Sequence, residues 1–137
     1  MARLRSDLVV AAILRRAQSA GATAVLRRRG AGEAGAIFIS VDYLDGRVDL
    51  YGPAPPRMDE SDEGTRRFDR ILSDVNGLDV SERMAREVKF DSDLWWVEIE
   101  DRQGRCFARL GLIVNCNWLP IVWRSLLKWF KMLLKRF

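Results

Sequence analysis

Apolar residues recur at two different spacings along this chain, and the two spacings separate predicted helices from predicted strands. Near the N-terminus they fall three and four residues apart from Val9 to Ala17, which predicts a helix capped by Ser6. From Leu94 to Asp101 apolar and polar residues alternate, which is typical of a strand with one buried face. The remaining segments follow one spacing or the other.

The strand from Leu94 to Asp101 places its side chains on two different surfaces. We predict that Trp95 anchors the core face, together with the apolar residues two and four positions after it. The opposite face carries one tryptophan and two carboxylates: Trp96, Glu98 and Glu100. Because carboxylates require water, we expect this second face to be partly exposed and to form a partner-binding surface.

The same spacings predict the other elements of the domain. Alternation predicts strands at 23–28, 37–41 and 48–50, and a further strand at 105–110. Helical spacing predicts two more helices, at 68–75 and 79–90. The predicted order is α-β-β-β-α-α-β-β. We therefore expect a single α+β domain over residues 1–110, with a small antiparallel sheet of about five strands and the helices on one face.

The composition excludes several classes of chemistry. The chain contains no histidine, so catalytic triads with a histidine base and histidine-based metal sites are unavailable. Its two cysteines, Cys106 and Cys116, are too few for a structural zinc site or a disulfide framework. We predict no metal site and no cofactor.

The charge is distributed unevenly along the chain. All 19 acidic residues lie within the first 110 residues, whereas five of the 23 basic residues lie after them. The body is therefore slightly acidic, although Arg27 to Arg29 form a short basic run. Nucleic-acid binding usually requires net positive charge on one face, so we expect little of it from the body.

The C-terminal tail, residues 111–137, has a different composition from the body. From Ile121 onward its basic residues recur at helical spacing among large apolar residues, and Pro120 suits a helix start. This pattern predicts a cationic amphipathic helix that lies on a membrane surface, docks on its own domain or forms an oligomer interface, unless the tail is an extension with no selected role. The residues that would form this surface are Trp123, Leu126, Leu127, Lys128, Trp129, Phe130, Lys131, Leu133, Leu134, Lys135, Arg136 and Phe137.

One enzyme-like arrangement is present in the predicted strand. Glu98 and Glu100 share a face, and a pair of carboxyl groups about 5 to 9 Å apart can act as acid and base in hydrolysis. Any two same-face residues on a strand lie at that distance, so the spacing alone is not specific. A carboxylate-dependent hydrolase is therefore the alternative to a non-enzymatic interaction module.

Three stretches resemble a known family. They are Gly35–Ile39, Leu50–Pro55 with the letters LYGPAP, and Phe90–Asp101 with the letters FDSDLWWVEIED. Over residues 2–107 the chain resembles the DUF1491 family of small, uncharacterised alphaproteobacterial proteins. The resemblance implies a bacterial, cytoplasmic, single-domain protein and supplies no catalytic residues, and the segment from about Leu110 onward departs from the family pattern.

These observations together favour a non-enzymatic interaction module that binds an as yet unknown protein partner through Trp96, Glu98 and Glu100. Its expected location is the cytoplasm. The tail would add peripheral attachment to an anionic inner membrane or, alternatively, self-association into a homo-oligomer.

Overall fold

The computed structural model describes residues 4–55 and 66–108, where two helices and five strands follow the order α-β-β-β-β-α-β. The helices are α1 (Ser6–Ser19) and α2 (Gly77–Phe90). The strands are β1 (Thr23–Arg28), β2 (Ile37–Asp42), β3 (Val48–Pro53), β4 (Phe68–Val75) and β5 (Trp95–Glu100). The α+β class and the five-stranded sheet are confirmed. The predicted C-terminal amphipathic helix lies outside the described residues.

The five strands form one sheet in the order β1-β5-β2-β3-β4. β2 and β5 are parallel, and the other neighbouring pairs are antiparallel. The prediction of a purely antiparallel sheet is therefore wrong. Short hairpin loops dictate antiparallel pairing only between strands that they connect, whereas β5 returns through a long connection and inserts between β1 and β2.

The two helices lie on opposite faces of the sheet. α1 packs against β1 and β5, and its buried Val9 and Ile13 join Ile39 in one apolar cluster. α2 packs against β3 and β4, and its Met84 joins Leu50 in a second cluster. Placing both helices on one face was therefore wrong. β2 and β3 are buried along almost their whole length, so apolar side chains on both faces of these central strands need cover.

The segment from Phe68 to Val75 is a strand and not the predicted short helix. It forms β4, in which Phe68 pairs with Pro53 and Leu72 pairs with Leu50. Its apolar residues occur at helical spacing, and two irregularities in the β3–β4 register accommodate this departure from the simple alternation of a strand. Pairing with the free edge of β3 thus overrides the local pattern.

The chain after β5 does not continue as a predicted strand over the described residues 105–108. Instead it turns back at Asp101, whose buried carboxylate accepts hydrogen bonds from the backbone N–H groups of Gln103 and Arg105. The Arg105 guanidinium reaches the same carboxylate, with Nε 2.8 Å from Oδ2. These contacts close a tight turn, and residues 109 and 110 lie outside the described part of the chain.

Both helices begin differently from what the sequence predicts, which is a cap at Ser6 for α1 and a capping box of Asp79 with Glu82 for α2. The hydroxyl of Ser6, the first residue of α1, is buried and donates to the Gly35 carbonyl at 2.6 Å instead of capping the helix. In α2 the cap is Asn76, whose side chain accepts from the Asp79 N–H at 2.9 Å. The sequence also predicts an apolar stripe of Val80, Met84 and Val88 on α2, and the first two of these are the buried residues of the helix.

A buried arginine joins the N-terminal segment to the loop before β2. The Arg66 guanidinium donates to the carbonyl oxygens of Leu4, Gly35 and Glu33 at 3.0, 3.2 and 3.4 Å. Buried carbonyl groups need donors, and one guanidinium supplies several in a fixed geometry. Arg66 therefore fixes the position of β4 relative to the start of α1.

Candidate interaction surface

The face of β1 and β5 on the α2 side carries the predicted partner-binding residues. α2 packs against β3 and β4, and α1 covers β1 and β5 from the opposite side. Val25 of β1 lies opposite Glu98 of β5, and half of Val25 (50%) is exposed. We call this surface the open face. Its residues are Val25, Arg27, Trp96, Glu98 and Glu100.

Three side chains interlock at the centre of the open face. The Arg27 guanidinium carbon lies 5.2 Å from the centroid of the Trp96 ring, a cation–π distance. Arg27 Nε lies 3.5 Å from Glu98 Oε2, and these two side chains remain 49% and 29% exposed. The arrangement combines an aromatic platform with one charge of each sign, all within reach of solvent.

Trp96 is held in place from beneath. Its indole N–H donates to the Ser40 hydroxyl oxygen at 2.9 Å, and its ring packs against the apolar cluster under α2. The prediction that Trp96 lies on the exposed face of the strand is correct for the face, but the side chain is half-buried. It is a fixed part of the surface, because the ring has few alternative positions once its N–H is bonded.

An irregularity in β1 positions Arg27 over the tryptophan. The register between β1 and β5 shifts between Leu26 and Arg28, and Arg28 rather than Arg27 is the residue paired with Trp96. Bulges of this kind redirect side chains. The Arg28 guanidinium donates to the Ser92 carbonyl at 2.8 Å, which leaves Arg27 to cover the ring.

Glu100 lies at the far end of the open face from Arg27. It pairs with Thr23 on one side and with Asp42 on the other. The structure therefore brings Trp96 and Glu98 together with Arg27, and it leaves Glu100 apart from that group.

The surroundings of Glu98 do not favour the hydrolase. A carboxyl group that acts as a general acid must stay protonated near neutral pH. In glycosidases an apolar pocket achieves this by raising the pKa of that carboxyl group. Glu98 instead faces the Arg27 guanidinium and remains partly exposed. Trp96 is the neighbouring apolar side chain that could form such a pocket, and it lies beneath that guanidinium.

Other acidic side chains accept hydrogen bonds within turns. The Asp91 carboxylate accepts from the Asp93 N–H at 2.9 Å, and Asp101 accepts from Arg105.

Across residues 4–55 and 66–108, no three potential metal-ligating side chains come together. No helix in those same ranges is long and apolar enough to cross a membrane. The tail residues predicted to meet a membrane or another subunit lie outside them.

A second polar cluster surrounds Asp49, which is almost completely buried. Its Oδ2 accepts from the Tyr43 hydroxyl at 2.8 Å and lies 3.7 Å from Arg70 Nε, and its Oδ1 accepts from the Asp74 N–H at 3.0 Å. Burial, followed by the neighbouring carboxylate, raises the pKa of the Tyr43 hydroxyl. This cluster ties the β2–β3 hairpin to the end of β4, and its members are bonded to one another.

Sequence reasoning did not assign Val25 and Arg27 to the partner surface. The sequence predicts a strand at both positions, but their place on the open face depends on the pairing of β1 with β5, which are far apart in the chain. The one local signal was the unusual run of three arginines at the end of a strand.

Comparisons with known proteins agree with the fold. The chain matches the family model described as "Protein of unknown function (DUF1491)" over residues 4–109. A solution structure of a protein from A. tumefaciens is 38% identical, with a TM-score of 0.70, and the match covers 82% of this chain and 99% of that one. No curated protein matches.

Two structures from Caulobacter crescentus CB15 are titled as DUF1491 family proteins. The crystal structure is 34% identical and the NMR structure 35% identical, and each has a TM-score of 0.64. In both cases the match covers 76% of this chain and 91% of the other. The chain therefore belongs to the DUF1491 family.

Proposed function

We propose that this protein is a non-enzymatic interaction module that binds a protein partner through the open face. The observation that carries the proposal is the fixed stack of Arg27 on Trp96 next to a half-exposed valine. Aromatic residues and arginines contribute a large share of binding energy at protein interfaces. Such a partner would place an apolar side chain against Val25 and Trp96, and polar groups against Arg27 and Glu98.

The electrostatic arrangement supports a protein over a small charged ligand. Arg27 and Glu98 balance each other, so the centre of the open face presents both signs within a few ångströms. A rim of paired charges around an aromatic residue is typical of protein interfaces, where it sets orientation more than affinity.

Site-specific photo-crosslinking in the host bacterium tests the proposal. A benzophenone amino acid in place of Val25 should yield an adduct heavier than the protein itself. The matched control is the same probe in place of Arg86, an exposed residue of α2 outside the open face. It should yield little or no adduct.

A second variant links the adduct to the Arg27–Glu98 pair. Arg27→Glu, combined with the probe at position 25, should reduce the yield of the adduct because two carboxylates would then face each other. Equal adduct at positions 25 and 86, or none at position 25, would show that the open face is not the interaction surface.

A further inference from the structure

β1 is an end strand of the sheet, and β5 is its one neighbour among the described strands. No backbone hydrogen bond joins its other side to any other segment of the described chain. From Thr23 to Leu26 the strand keeps a regular register with β5, and the irregularity begins only after Leu26. Unpaired backbone groups on a regular edge strand are a template for an additional strand.

The other end of the sheet is unsuited to an added strand. β4 has two register irregularities against β3, carries Asp69 and Asp74, and adopts a positive φ of 55° at Asp74. Irregular and charged edges discourage pairing with another chain. Of the two edges, only that of β1 is regular and apolar over several residues.

The segment that forms α1 and β1 is rich in arginine, although one of these arginines, Arg27, is paired with Glu98 of β5. Between Asp7 and Glu33 the chain holds five arginines and no acidic residue: Arg15, Arg16, Arg27, Arg28 and Arg29. Arg29 is exposed and forms no ion pair with any described residue. Pairing β1 with β1 of a second copy would bring two such segments together, and like charges across neighbouring strands are destabilising. An acidic partner avoids this repulsion.

We infer that β1 binds an extended acidic peptide segment of a protein partner by strand addition. This inference rests on the proposed function and specifies how the partner binds. Successive peptide side chains would point to opposite faces, so apolar residues could lie against Val25, 50% exposed, and Leu26, 37% exposed. Aspartate or glutamate would lie beside the arginines that end β1.

The position of Glu100 determines which end of the bound peptide should be acidic. Glu100 is opposite Thr23, at the other end of β1 from the arginines. The bound peptide and β5 would lie on either side of β1, about 10 Å apart, because neighbouring strands are about 4.8 Å apart. An acidic peptide residue at that end would therefore be repelled by the Glu100 carboxylate. The acidic residues of the peptide should therefore cluster at the end that lies beside Arg27 to Arg29.

Selection from a displayed library of random linear peptides, with the full chain as target, tests this chemistry. We expect the enriched peptides to combine β-branched or aromatic residues at alternate positions with acidic residues clustered at one end. Arg29→Glu should weaken the binding of a selected peptide by roughly fivefold, the upper range for exposed ion pairs. The same charge reversal at Arg86, on the exposed side of α2, should leave binding unchanged.

Backbone readouts separate strand addition from side-chain binding alone. Only every second peptide amide would bond to β1. N-methylation of that set of amides should abolish binding, whereas N-methylation of the intervening set should not. Hydrogen exchange should slow at alternate residues of β1 when the peptide is bound. If neither signal is seen while crosslinking at position 25 is retained, strand addition is refuted and the proposed function still stands.

Other outcomes would replace the inference with a different partner. Enrichment of peptides without acidic residues would refute the charge argument. Displacement of the selected peptide by duplex DNA or anionic vesicles at equal charge concentration would show a general anion site. Concentration-dependent dimerisation that Arg29→Glu strengthens, measured by sedimentation, would identify a second copy as the occupant of the edge. Failure of both the crosslinking and the selection would reject the proposed function as well.

Discussion

Asp49 is the most deeply buried charged residue in the described part of the chain, with 1% exposure. Tyr43 donates one of its hydrogen bonds, at 2.8 Å. Tyr43→Phe removes that donor and keeps the ring, so the variant isolates the cost of leaving a buried carboxylate with one partner fewer. The Asp74 N–H and the Arg70 guanidinium would remain as its partners.

The expected loss of stability follows from the kind of hydrogen bond. A hydrogen bond to a charged group contributes about 1.5–3 kcal/mol, roughly twice the contribution of a neutral one. Tyr43 lies at the limit of burial, so water can partly replace the lost donor. We therefore expect Tyr43→Phe to lower the free energy of unfolding by about 1.5–2 kcal/mol.

Urea denaturation followed by tryptophan fluorescence measures this difference at neutral pH. The control is Asp45→Asn at the tip of the same hairpin, where the carboxylate is exposed and paired with Arg47. That change should leave stability almost unaltered, because an exposed ion pair contributes little. In a double-mutant cycle with Asp49→Ala, the loss caused by Tyr43→Phe should disappear, because no carboxylate remains to accept its bond.

The pH dependence supplies an independent check. The folded protein raises the pKa of Tyr43 above its unfolded value of about 10, so the unfolded chain loses the proton first. Stability from this group is therefore present below about pH 10 and is lost as the pH rises further. The difference between wild type and Tyr43→Phe should shrink there. A cost below about 0.5 kcal/mol, or a difference that persists in alkali, would contradict the hydrogen bond's assigned role.

Further predictions concern other parts of the chain. Arg66→Met should cost more than about 2 kcal/mol, because it strips donors from three carbonyl groups, and thermal unfolding measures the loss. Burial opposes the Asp101 charge, but bonds from Arg105 and Gln103 lower the pKa of its carboxyl. Its contribution should be present above about pH 4 and lost as the pH falls further, so wild type and Asp101→Asn should converge in acid. Residues 1–110 should unfold cooperatively and bind duplex DNA no more tightly than about 10⁻⁴ M at physiological salt, tested by calorimetry and fluorescence anisotropy. The full chain should sediment with anionic vesicles and lose this binding at high salt or on deletion of residues 118–137.

Local patterns predicted the elements whose surroundings are simple. The three- and four-residue spacing of α1 and the stripe of Val80 and Met84 in α2 follow from one buried helix face. The division of β5 into a buried face with Trp95 and a partly exposed face with Trp96 follows from alternation. In each case one side of the element meets the core and the other meets water, so the sequence pattern and the structure carry the same information.

The errors arose where a neighbouring strand, rather than local spacing, decides the conformation. Phe68 to Val75 is a strand because it pairs with the edge of β3. The register irregularities accompany a sequence that lacks the regular alternation of a strand. The parallel pairing of β5 with β2 depends on a connection through β3, β4 and α2, which no short segment encodes. Arg66 also bonds to groups far away in the chain, so nothing near it in the sequence marks it as buried.

The open face also depends on contacts between distant parts of the chain, so only the folded protein can present it. Arg27 comes from a strand near the N-terminus and Trp96 from the last strand, and they meet only after β5 has inserted between β1 and β2. Contacts of such large sequence separation form only when the cost of closing the intervening chain has been met. A chain in which β5 has not docked therefore presents neither the aromatic platform nor a sheet-bound β1 edge. Partner binding through this surface would select the fully folded state, and a bound partner would stabilise that state by an amount that rises with the logarithm of its concentration relative to its Kd.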